Sequence, residues 1–184
     1  MFNLFGISSN PKVFEFRCGD CGEMHRGSPS FGYNKPPMYF TVPETERPER
    51  VQLTADTCVI DDDTYFIRGL LELPIHEVED PFAWGVWVTQ SRESFERYVE
   101  TFEQDQSGDG SFGWLDVTMP GYIEDDNDGE WETLACDVHW GGDGQRPLIV
   151  PQECDHPLYI DYANGMSWER AIFLAQQVMH KRNA

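Results

Sequence analysis

Positive charge is scarce in this sequence. Thirteen Lys and Arg stand against thirty-three Asp and Glu in 184 residues, a formal charge of −20 at pH 7. From Tyr98 to Gln145 there is no Lys or Arg at all, while thirteen acids occur. Such a surface repels phosphate backbones and anionic headgroups, which excludes nucleic acid and membrane surfaces as partners. It favours a basic protein or divalent cations instead. Acidity of this kind also keeps a protein soluble. No run of about 18 apolar residues exists, so no membrane-spanning helix is expected. The opening MFNLFGISSNPK has no basic segment ahead of a long apolar one, so no secretory leader is read. Five cysteines, an odd number, then read as reduced thiols or metal ligands in a cytoplasmic protein. Catalytic signatures are missing too: there is no nucleophile elbow, no HExxH and no phosphate loop. The cluster Gly141-Gly142-Asp143-Gly144 lacks the GxxxxGK[ST] order and sits among acids.

What is present describes a globular chain. Apolar residues make up 40% and aromatics 14%, and the length suits one domain over 1–184. The stretch 56–90 organises it, with three runs rich in β-branched and aromatic residues: Thr57–Ile60, Tyr65–Leu73 and Phe82–Thr89. Short polar or proline turns separate them, the pattern of adjacent strands. Further strands are expected at Val13–Phe16, Trp131–Trp140 and Arg146–Val150. Residues 26–50 carry five prolines and read as loop. Ser91 caps a helix over 91–104, in which Phe95, Tyr98, Val99 and Phe102 share one face. Ser167 caps another over 167–180, with Trp168, Ala171, Ile172, Ala175, Val178 and Met179 as its apolar stripe. The fold class is therefore α+β: a mostly antiparallel sheet of about five to seven strands, two helices on one face, and an N-terminal CxxC knuckle in 13–25.

Metal chemistry is the most specific signal. Cys18-Gly19-Asp20-Cys21-Gly22 presents two thiolates to one tetrahedral ion, and the glycine after the second cysteine allows the tight turn. No second CxxC completes a zinc ribbon. The candidates to do so are His25, Cys58, the pair Cys136 and His139, and Cys154 or His156. Zinc is the cofactor this pattern suggests. A weaker calcium pattern follows the first helix, with Asp105, Ser107, Asp109 and Asp116 at positions 1, 3, 5 and 12 and glycine at 6. Asp stands where Glu is usual, and Pro120-Gly121 forbids the exiting helix, so an Asp/Gly turn is the expected structure. The second acidic turn, Glu124 to Glu130, has no acid at its twelfth position. Arg68, mid-strand among apolar residues, is expected to pair with Glu72 or Asp61 on a solvated face, the sharper alternative being an anchor for a substrate.

Taken together, CGDCGEMH, PERVQLTADTCVIDDDTYFIRGLLELPI, FAWGVWVTQS, FGWLD, RPLIV and DHPLYIDYANGMS resemble the bacterial family called domain of unknown function 2199. The resemblance runs in order over roughly Phe14 to His180. It implies no activity. Its pattern includes the positions of Cys18, Cys21 and His25, the VID and RG strand residues, and His156-Pro157. The chain departs from that pattern in the acidic 103–130 region and at IDYANG.

Two functions follow as expectations. The first is a non-enzymatic protein-binding module of inhibitor or immunity type, whose acidic region 98–145 engages a basic partner through Trp114, Tyr122, Asp125, Asp126, Asp128 and Trp131. Aromatic anchors among charges are a common interface composition. The alternative is a zinc protein with a hydrolase-type or other catalytic site around the CxxC and His139/His156.

Overall fold

The computed structural model describes residues 12–117, 119–122 and 132–181. A hairpin of β1 (Glu15–Arg17) and β2 (Met24–Arg26) comes first, then β3 (Ser30–Gly32), a 3-10 turn at Pro37–Thr41 and the single-turn α1 (Arg47–Arg50). Next are β4 (Val51–Leu53), β5 (Thr57–Ile60), β6 (Thr64–Leu73) and β7 (Phe82–Gln90). Helix α2 (Arg92–Thr101) leads to β8 (Gly110–Asp116), β9 (Thr133–His139) and β10 (Leu148–Pro151), and the chain ends with α3 (Pro157–Asn164) and α4 (Trp168–Lys181).

β6 and β7 are the spine. They pair antiparallel from Tyr65↔Gln90 to Leu73↔Phe82. Because alternate side chains of a strand share a face, Ile67, Leu71 and Leu73 line up with Val88, Trp84 and Phe82, all essentially inaccessible to solvent. The other face is buried at one end as well: Phe66 and Trp87 pack there with Val42, Cys58 and Ile60. Burial on both faces explains the near-continuous apolar runs of these strands.

The sheet closes on itself. β7 pairs with β8, β8 with β9, β9 with β10, and β10 returns to β6, giving a five-stranded barrel. β5 and β4 extend it from β6, and β3 adds to β7. Most pairings are antiparallel; β10 on β6 and β3 on β7 are parallel. Closure turns on Gly69. The Leu70 N–H donates to the Pro147 carbonyl at 2.8 Å, and a Cβ at Gly69 would stand 2.4 Å from Ile149 Cδ1. Glycine lets Ile149 of β10 fill the interior beside β6.

The α+β class and the largely antiparallel sheet agree with the sequence reading, but among the described residues the barrel and its added strands hold eight strands rather than five to seven. Both long helices pack against the one main core of this closed sheet. α2, capped by Ser91 Oγ accepting the Ser94 N–H at 3.1 Å, buries Tyr98 against Phe102 and Trp140. α4 buries Ala171, Leu174, Ala175 and Val178 at helical spacing. Helix α3 was not foreseen. His156 caps it, Nδ1 accepting the Leu158 N–H at 3.1 Å.

Arg68 makes neither expected ion pair. Arg50 holds Asp61 through two hydrogen bonds of 2.6 and 2.7 Å, and Glu72 is exposed on the edge of a cleft. The Arg68 side chain instead crosses Gly85 and Gly32, where a Cβ at Gly32 would stand 2.8 Å from Nη2. Burial, then the nearby Arg146, lower its pKa, and Asp56 opposes them.

Candidate metal centre

The knuckle sits at the turn of the β1–β2 hairpin. Phe16 pairs with His25 across the two strands, so the sequence places His25 one residue pair behind the turn that carries both cysteines. The turn is closed by the Cys18 N–H to the Glu23 carbonyl at 2.8 Å and the Gly22 N–H to the Cys18 carbonyl at 3.0 Å. Gly22 adopts φ 74°, a left-handed conformation that a side chain would resist. The Arg17 guanidinium donates to the Gly22 carbonyl at 2.6 Å and holds the turn from outside.

Three donors converge there. Cys18 Sγ, Cys21 Sγ and a ring nitrogen of His25 lie within 4.8 Å of one another. Cys21 Sγ and His25 Nε2 are 3.4 Å apart. A tetrahedral zinc ion with bonds of about 2.3 Å to sulfur and about 2.05 Å to nitrogen sets its sulfur and nitrogen donors roughly 3.5 Å apart. Among the described residues this is the one group of three or more Cys, His, Asp or Glu drawn so close.

A two-stranded hairpin is marginal alone, so its geometry depends on docking. Cys18, 1% exposed, belongs to the main core with Phe14 and Phe16. Phe14 packs on Trp168 of α4 at 5.0 Å between ring centroids, and the Phe16 ring lies 5.2 Å from that of His25. Gly19 comes close to Gln176, also on α4. One thiol is thus anchored in the core and the other, Cys21, faces solvent.

The other candidate ligands lie elsewhere. Cys136 points into the barrel and His139, three residues on, points out, because residues three apart on a strand face opposite sides. Burial pushes the Cys136 thiol up to about 12 and the Cys58 thiol up to about 11, the behaviour of inert core sulfur. His156 is committed to capping α3, and Glu132 Oε1 lies 3.6 Å from its Nε2.

The calcium pattern does not form a loop. Asp105 accepts hydrogen bonds from the backbone and hydroxyl of Ser107, and Asp109 pairs with Arg97 at 2.7 Å. The second half of the pattern is strand β8, which runs from Gly110 and carries Asp116 roughly 20 Å farther along at about 3.3 Å per residue. The expected Asp/Gly turn covers only the first half.

Of the expected partner-binding residues, Trp114 projects from β8, 48% exposed. Tyr122 does not face outward: it is buried, its hydroxyl donating to Asp161 at 2.8 Å, and Arg170 stacks on its ring. Asp125, Asp126, Asp128 and Trp131 lie outside the described residues. Phe112, not singled out from the sequence, stands edge-on to Trp114 at 5.3 Å. Its signal was the alternation SFGWLD, hidden by reading that stretch as a turn.

A barrel carrying a docked Cys/His hairpin defines a small α+β domain with a candidate metal centre. Residues 17–166 match the family described as an uncharacterised protein conserved in bacteria, domain of unknown function 2199, and the chain belongs to that family. The matched region takes in the three knuckle residues and every barrel strand. No curated protein and no solved structure matches the chain.

Proposed function

We propose that this protein binds zinc through Cys18, Cys21 and His25. The observation that carries the reading is the convergence of these three donors within 4.8 Å, on a turn whose backbone is already closed. Two thiolates and an imidazole suit zinc rather than the hard cations that the acidic surface attracts. Three protein donors leave a fourth tetrahedral position, and the exposure of Cys21 turns that side toward solvent, where water or a partner's side chain completes the ion. Neither His139 nor His156 joins the group, so the reading stops at metal binding and assigns no hydrolysis.

The test is cobalt and zinc titration of the reduced protein, with metal content read by native mass spectrometry. One ion per chain, tetrahedral thiolate absorption with cobalt, and loss of both in Cys21→Ser and His25→Ala are expected. Retention of a stoichiometric ion by both variants would overturn the assignment, as would the absence of thiolate absorption in the wild-type protein.

A further inference from the structure

The outer face of β8, β9 and β10 carries an unusual patch for so acidic a chain. Phe112, Trp114 and Leu148 are 47%, 48% and 46% exposed. They stand on strands in register: Phe112 is opposite Asp137, and Asp137 is opposite Val150, while Leu148 is opposite His139. The aromatic pair is set edge-to-face, and the Trp114 backbone N–H is held by Thr89 Oγ1 at 3.0 Å. These side chains are presented by paired strands, so fixing them against a partner costs little further order.

Leu148 and Val150 also line a cleft of about 350 Å³ together with Tyr162, Glu72 and Glu79. That volume is at the lower end of ligand-pocket sizes, roughly 300 to 1,000 Å³. Among the described residues, two carboxylates line the cleft and no Lys or Arg does. Asp137 adds a third carboxylate within the patch itself.

We infer that this face docks a cationic protein segment, its apolar side chain resting on Phe112, Trp114 and Leu148 and its Lys or Arg reaching Glu72, Glu79 and Asp137. Charge selects this occupant. A second copy would bring two chains of −20 together across the same surface, and nucleic acid would meet the same repulsion. Aromatic anchors supply the holding energy and carboxylates the steering. The patch is separate from the Cys18–Cys21–His25 cluster, so it stands or falls independently of zinc.

The probe is a fluorescently labelled peptide, Lys-Leu-Arg-Leu-Lys, titrated into the full chain, with its Glu-for-basic counterpart as control. Saturable binding of the cationic peptide alone is expected, weakening as salt shortens the screening length from about 10 Å at 0.1 M toward about 3 Å at 1 M. Trp114→Ala should weaken it roughly 30-fold, the effect of a strong interface anchor. Glu72→Gln with Glu79→Gln should weaken it too, while Phe40→Ala, exposed but outside the patch, should not. Amide shifts in NMR confirm the fold of each variant and should map to β8–β10. Binding unchanged by Trp114→Ala would show diffuse attraction to net charge and overturn the proposal. So would absence of binding at about 1 mM, or self-association in ultracentrifugation that Trp114→Ala abolishes.

Discussion

Replacing Cys21 by serine isolates the metal from the packing. Cys21 is exposed, so the change removes one thiolate and disturbs no core contact. Cys18 is different: it is 1% exposed within the main core, and a hydroxyl there costs about 1–3 kcal/mol on its own. Because the hairpin shares that core, unfolding the domain destroys the site, and bound zinc must stabilise the whole domain. With free zinc a hundredfold above the dissociation constant, linkage gives about 2.7 kcal/mol. For a chain of this size one kcal/mol moves Tm by about 2–4 °C, so zinc should raise it by roughly 5–10 °C. Cysteines of the unfolded chain also bind zinc, which makes this an upper figure. The assay is thermal unfolding of reduced protein in a zinc-buffered series, wild type beside Cys21→Ser. The wild-type Tm should climb with free zinc, and the variant should start at the same Tm and stay there. Acidifying the buffer should weaken the effect, because thiols must lose protons to bind. An equal rise in both proteins would place zinc on the acidic surface and refute the reasoning.

Three further outcomes follow from the packing. Gly69→Ala drives a Cβ to 2.4 Å from Ile149 Cδ1, an overpacking cost of about 1–3 kcal/mol, and Ile149→Val should recover part of it in a double-mutant cycle followed by urea unfolding. Tyr122→Phe removes the hydroxyl that Asp161 accepts and should cost about 1–2 kcal/mol. Burial raises the Tyr122 pKa in the folded state, so its contribution is intact below the unfolded tyrosine value of about 10 and is lost as pH rises past it; alkaline melts of the variant should fall less steeply than those of wild type. A thiol reagent at neutral pH should modify exposed Cys21 first and spare Cys58 and Cys136, and zinc should protect the knuckle in the wild type.

The elements most legible in the sequence were those with strong local signals. Runs rich in β-branched and aromatic residues gave β5, β6 and β7 to within one residue at each end, since both faces of these strands are packed. Helical spacing and serine caps gave α2 and α4, although α2 ends at Thr101, before the expected 104. The Cys18-x2-Cys21 turn was legible because the spacing itself builds the knuckle. β8 was lost because its alternation follows an Asp/Gly turn that mimics a calcium loop, and α3 because His156-Pro157 resembled a plain loop rather than a cap with proline at the first helical turn.

By itself, then, the sequence determined which segments become strands and helices, that the surface is acidic, and that two thiolates share one turn. Those properties are local or additive. The imidazole beside the thiolates comes from the register of one short hairpin, in which Phe16 lies opposite His25. That the sheet closes through Gly69 and Ile149, and which side chains of its strands face solvent, were decided only by tertiary structure. Both depend on pairing between segments far apart in the chain: β10 laid parallel on β6 shuts the barrel, and the pleat of the closed sheet turns Cys136 inward while it leaves His139 and Trp114 outside.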